Sequence, residues 1–343
     1  MFERRLFLKS LTAAAVGSAM LAALGSTGAR AADEQNFLLA TASTGGTYYP
    51  VGVALATLIK VKLQPKDKIN MSAINSAGSG ENIKLMRDNE VQFGILQGLY
   101  GAYAKTGTGP LKNDGPQTEL RSVSMLWSNV EHFVVRNAYV KSGTIEDMAG
   151  LEGKKVSLGA QNSGTLGSNR TILGNLGINV DGYDLAYMGY GPSADAMQNG
   201  QIEAMSTPAG VPVSAVTRAF AAMGGDITVL DFTADQVTKA NGDFGELWTA
   251  YNIPAGTYPG QDKAINTIAQ PNFLAVRADV PDETIYKITK TIYENLPFLQ
   301  SIHPATKAMS LERAIAGLPL PLHPGAIRYF EEAGVKIPDR LKP

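Results

Sequence analysis

Short apolar runs alternate with amphipathic stretches along most of the chain. "NFLLATA", beginning at Asn36, predicts a strand, and residues 50–61 carry apolar positions at helical spacing. "INMSAIN" predicts a second strand, residues 80–89 a helix, and "VQFGILQ" a third strand. A polar loop, "TGTGPLKNDGPQTELR", separates this series from "SVSMLW" and "EHFVVRN". A second series follows: "KKVSLGA", a helix over 164–176, "YDLAYM", a helix over 193–199, "IEAMST", a helix over 212–223, and "ITVLDF". Helical sequence from residue 282 closes the chain.

Strands alternating with helices predict an α/β fold, and the right-handed crossover rule makes the sheets largely parallel. Two such series predict two domains. "NFLAVRAD", near Phe273, has the same shape as "HFVVRN", an apolar run ending in arginine. One strand entering and one leaving the second series would form a two-strand hinge. The expected boundaries are 33–130 plus 272–343 for the first domain and 131–271 for the second, with a ligand cleft between them.

The first thirty residues belong to another class. Arg4, Arg5 and Lys9 precede an uncharged Ala/Leu-rich run, which ends at the small-residue site Ala29-Arg30-Ala31. This is the anatomy of an export signal over residues 1–31, cleaved near Ala31. "RRLFLK" follows the twin-arginine pattern of proteins exported already folded, although Glu3 stands where Ser or Thr is usual. The expected location is the periplasm. Removing four bases (Arg4, Arg5, Lys9, Arg30) and one acid (Glu3) moves the formal net charge from −1 to −4. That balance gives no electrostatic footprint for nucleic acid. The chain of 343 residues has no cysteine, which excludes disulfides, thiol chemistry and thiolate metal sites.

Open parallel sheets bind ligands beyond the carboxyl ends of their strands, where helices begin with unpaired N–H groups. Four strand-to-helix loops are rich in Gly, Ser, Thr and Asn: "STGGTYYPVG", "NSAGSGEN", "GAQNSGTLGSN" and "GYGPSAD". Thr47 and Ser79 are candidate helix caps, Pro50 fits a first helical turn, and Ser163 and Thr165 flank Gly164. Each loop alone is equally a set of turns and caps. Two in each domain would line one cleft and hold an anion. Tyr48, Tyr49, Tyr100 and Trp127 lie near loop ends, as core residues or as a wall for a solute.

No acid, base and nucleophile assemble in the sequence, so no enzyme is expected. "GYGPSA" matches a dinucleotide loop only formally, and neither a phosphate-binding P-loop nor a G-x-S-x-G elbow is present. His132, His303 and His323 lack metal-ligand spacing. His132 reads as a structural partner and His323 as the cap of the last helix. No cofactor is expected.

"TGGTYYPVGVALATLI", "NSAGSGENIKLMRDNEVQFGILQ", "GLEGKKVSLGAQNSGT" and "LPLPLHPGAIRYFEEAGV" together resemble the TAXI family, the solute receptors of TRAP transporters. The resemblance runs from about Phe37 to Val335. It implies a two-domain periplasmic-binding-protein fold of type II and a monomeric receptor. Such a receptor captures a small carboxylate, a C5 dicarboxylate or an amino acid such as glutamate or 2-oxoglutarate, and presents it to membrane permease subunits. The contacts it implies are Gly46, Thr47, Tyr48, Ser79, Gln97, Ser163, Gly164 and Thr165, with Trp127, Ala209 and Gly210 around them. Where relatives often carry Gly-x-Pro-x-Ser-Gly-Thr this chain has "GAQNSGT", so Gln161 and Asn162 could add side-chain contacts. The arginine clamp of the other TRAP receptor family has no motif match. A surface antigen or sensor with the same fold is the alternative.

Overall fold

The computed structural model describes residues 34–343; the export signal and its cleavage site lie outside the described residues. Two sheets form the frame. The first contains β1 (Gln35–Ala40), β2 (Ile69–Ile74), β3 (Phe93–Gln97), β4 (Leu120–Val130), β10 (Thr249–Ile253) and β11 (Ile265–Arg277). The second contains β5 (Phe133–Arg136), β6 (Lys155–Ser157), β7 (Asp184–Leu185), β8 (Ala204–Ser206) and β9 (Ile227–Val229).

Both sheets repeat one wiring. In the first, β1 pairs in parallel with β2 and β3, β11 runs antiparallel to β3, and β4 pairs with the far side of β11. In the second, β6 pairs in parallel with β7 and β8, and β5 runs antiparallel between β8 and β9. Each is a parallel trio followed by one reversed strand and one further strand, the arrangement of type II periplasmic binding proteins.

This wiring explains the likeness of "HFVVRN" and "NFLAVRAD". They are the reversed strands, β5 and β11, at equivalent places in the two sheets. Buried between neighbours on both sides, each needs a short apolar run. The crossing lies a few residues away, where residues 130–133 leave β4 for β5 beside the start of β11. Two bonds tie the crossing segments: the Glu131 N–H donates to the Ile268 carbonyl at 2.9 Å, and the Thr267 hydroxyl to the Glu131 carbonyl at 2.9 Å. β10, which the sequence reading left without an element, pairs antiparallel with the first half of β11.

Helices cover the sheets. In α1 (Tyr48–Asp67), Val51, Leu55, Leu58 and Ile59 are buried at helical spacing against β1 and β2. α2 (Ser79–Arg87) and α3 (Gly98–Thr106) follow β2 and β3. α4 (Gly164–Asn175), α5 (Tyr190–Gln198) and α6 (Ser214–Met223) serve the second sheet, and α7 (Ala234–Asn241) packs on α4. α8 (Asp282–Glu294) packs between α1 and α10 (Pro324–Glu332), with α9 (Leu296–Ile302) between them in sequence.

α5 begins three residues before the expected start at 193. Pro192 is its third residue, where a missing N–H costs no intrahelical bond. Pro50 sits likewise in the first turn of α1. His323 caps α10, its Nδ1 accepting from the Gly325 N–H at 3.2 Å. His132 is buried, with Nε2 2.7 Å from the Tyr258 hydroxyl.

Candidate functional site

Five helix starts converge where the two sheets meet. Ala42, Ser43, Gly46, Thr47 and Tyr48 come from the β1–α1 loop, Gly78 and Ser79 from the start of α2, and Gln97 from the residue before α3. The second sheet supplies Gly164 and Thr165 from α4, Tyr190 from α5, and Pro208 and Ala209 after β8; Asn129 comes from β4. They close around a cavity of only about 20 Å³, room for about one water, so the two sides meet nearly shut.

Of the residues picked from sequence, Gly46, Thr47, Tyr48, Ser79, Gln97, Gly164, Thr165 and Ala209 line this space. Trp127, Asn162, Ser163 and Gly210 do not. Trp127 is fully buried behind Tyr48, the rings edge-on with centroids 5.9 Å apart. Asn162 and Ser163 face a neighbouring groove lined by Lys84, Arg87 and Arg170. Ser163 caps α4, its Oγ accepting from the Leu166 N–H at 3.0 Å. The Gly210 carbonyl accepts from the Thr47 hydroxyl at 3.0 Å.

Two expected caps act differently. Thr47 stands at the N-cap of α1 but makes no side-chain cap bond, because its hydroxyl crosses to Gly210. Ser79 is the first residue of α2, and Gly78, at φ +116°, holds the cap position in a conformation that favours glycine. The Ser79 Oγ accepts from the Gln97 N–H at 3.1 Å, and its own proton faces the Tyr48 hydroxyl oxygen and the cleft.

The two sides already touch. Gln97 Nε2 donates to the Gly164 carbonyl at 2.8 Å, the Glu81 N–H to Asn162 at 3.0 Å, and the Tyr100 hydroxyl to Ser163 at 3.2 Å. Gly164 makes this approach sterically possible. A Cβ there would lie 2.8 Å from Ser79 Oγ and 2.9 Å from Ser79 Cβ.

Tyr190, which sequence reasoning did not select, organises the second side. Its hydroxyl donates to the Pro208 carbonyl at 2.6 Å and lies 2.7 Å from Thr165 Oγ1. A phenol has one proton, so Thr165 is the donor to Tyr190, and its oxygen offers the cleft only lone pairs. On the first side Tyr48 donates to Asn272 Oδ1 at 2.5 Å. Burial raises the pKa of both phenols, so each remains a neutral donor. The lining holds no lysine, arginine, aspartate or glutamate. What faces the space is a set of helix N-termini, hydroxyls and amides. Backbone N–H groups of the first turns of α2 and α4 have no intrahelical partner, and the helix dipoles favour an anion there.

Among the described residues no group of three or more His, Cys, Asp or Glu side chains could hold a metal. No helix among them is long and apolar enough to cross a membrane.

A solved protein from Bordetella bronchiseptica RB50 has a similar fold, with 14% identity, TM-score 0.52, and coverage of 90% of this chain and 91% of that one. The periplasmic aliphatic sulphonate binding protein SsuA from Escherichia coli matches at 13% identity and TM-score 0.45, covering 87% and 83% of the two chains. The GluR0 ligand-binding core from Nostoc punctiforme, in complex with L-glutamate, matches at 15% and 0.44, covering 79% and 98%. A model of the NMT1-like family matches residues 39–334, nearly the whole described chain, and the protein belongs to the NMT1-like family.

Proposed function

We propose that the protein is an extracytoplasmic solute receptor of TAXI type. It captures a small carboxylate by closure of its two domains and delivers it to the permease subunits of a TRAP transporter. The proposed moving bodies are residues 33–130 with 272–343, and residues 131–271. Paired segments near 131 and 268 form the pivot.

One observation carries this reading: the first turns of α2 and α4 face each other across a small cleft without a charged side chain. Each helix N-terminus favours an anion by about 0.3–1 kcal/mol, and up to ~2 when partly buried. Ser79 adds a hydroxyl donor. Because the contacts come from both domains, an anion in the cleft stabilises the closed form more than the open one. A micromolar affinity corresponds to about 8 kcal/mol, within reach of several charge-assisted bonds. The motifs shared with TAXI receptors favour a C5 dicarboxylate or amino acid such as glutamate or 2-oxoglutarate as the solute.

A thermal-shift screen of small carboxylates against their uncharged amides tests the reading. A ligand that binds only the folded state raises the melting temperature. Carboxylates should do so and amides should not; stabilisation by the amides alone would reject it.

A further inference from the structure

The amides at the cleft have a fixed orientation, and it leaves one need unmet. The Gly164 carbonyl can only accept, so the Gln97 side chain must turn its Nε2 toward it, at 2.8 Å. Gln97 Oε1 then faces Asn129 and accepts from Asn129 Nδ2 at 3.2 Å. Reversing Asn129 would set two oxygens against each other. Its Oδ1 is therefore an acceptor, on a side chain only 2% exposed that lines the cleft, and it has no partner. A buried acceptor left unsatisfied is costly, and such groups nearly always find a donor.

Resting on the carboxylate reading above, we infer that Asn129 is a specificity-determining residue and that the solute carries an amino group beside its carboxylate. The carboxylate meets the N-termini of α2 and α4, and an ammonium hydrogen meets Asn129 Oδ1. An oxo acid of the same skeleton offers oxygen to oxygen at that point and leaves Asn129 unpaired. The site is thus built for amino acids over oxo acids and plain dicarboxylates.

The test is calorimetric titration of the purified chain with matched pairs: L-glutamate and 2-oxoglutarate, L-alanine and pyruvate, L-leucine and 4-methyl-2-oxopentanoate. In the pair that fits the cleft, the amino member should bind about 10- to 100-fold more tightly, the worth of one buried hydrogen bond. Asn129→Leu, near in size and lacking the acceptor, should collapse that ratio toward unity. Melting curves show that the variant folds. An oxo acid binding as tightly as its amino partner overturns the inference and leaves the carboxylate reading standing. So does a folded Asn129→Leu protein that still discriminates. Failure of every carboxylate to bind overturns both.

Discussion

Gly164→Ala adds one methyl group at the point where the two sides of the cleft meet. That methyl would sit 2.8 Å from Ser79 Oγ, 2.9 Å from Ser79 Cβ and 3.0 Å from Gln97 Cδ. Ser79 Oγ is bonded to the Gln97 N–H and the Gln97 side-chain amide to the Gly164 carbonyl, so neither neighbour yields without breaking a bond. Overpacking of this kind costs about 1–3 kcal/mol. In the proposed closure the contact exists only when the domains meet, so the whole cost falls on the bound form and lowers apparent affinity roughly 5- to 150-fold. Gly174→Ala, on the exposed side of the same helix with nothing within 4 Å, is the matched control. Calorimetry should show the loss for Gly164→Ala alone, with melting temperatures of both ligand-free variants at or above wild type. Small-angle scattering should show that the solute no longer compacts the Gly164→Ala chain fully. Unchanged affinity and full compaction would refute closure through this contact.

Three further outcomes follow from the same geometry. Ser79→Ala removes a hydroxyl donor that can turn to the cleft and should weaken carboxylate binding about tenfold, whereas Thr165→Ala should cost less, because that proton is committed to Tyr190, whose own goes to Pro208; calorimetry on both variants ranks them, and the reverse order would reject the assignment. Tyr48→Phe leaves Asn272 without its donor inside the first sheet and should lower stability by about 1–3 kcal/mol in urea unfolding; no loss would show that the bond contributes nothing. Burial lifts the Glu131 carboxyl to about 8, above its ordinary value, so its contribution to stability is complete near pH 4 and is lost as pH rises toward 8, at up to about 1.4 kcal/mol per unit. His132, pushed down by burial to about 4, acts the other way, losing stability only as pH falls below about 6.5. Urea unfolding from pH 5 to 8.5 should show a smaller decline for Glu131→Gln than for wild type, and an equal decline would sink the assignment.

Much of the frame was legible because its elements obey local rules. β3 is buried on both faces and reads as the unbroken run "FGILQ", and α1 carries its apolar stripe at regular spacing. The glycine- and serine-rich loops announced themselves because helix starts and close backbone approach need those residues. Asn129 did not, since it lies within β4, a strand read for its apolar run, and nothing local marks a polar side chain aimed at a ligand. Tyr190 was hidden because "GYGPSAD" reads as a turn until Pro192 is placed inside the helix. β10 was missed because its residues "TAYNI" are mostly exposed and gain their pairing only from β11. The likeness of β5 and β11 has the same origin: two strands look alike when they occupy equivalent places, and equivalence is a property of the sheets.

The measurement that bears most directly on the central claim is a crystal structure of the protein with the carboxylate that raises its melting temperature most. The carboxylate should lie between α2 and α4, its oxygens accepting from the Ser79 hydroxyl and from backbone N–H groups of both helices at about 2.7–3.2 Å. A carboxylate found instead in the groove of Lys84, Arg87 and Arg170, with the cleft holding none, would contradict it.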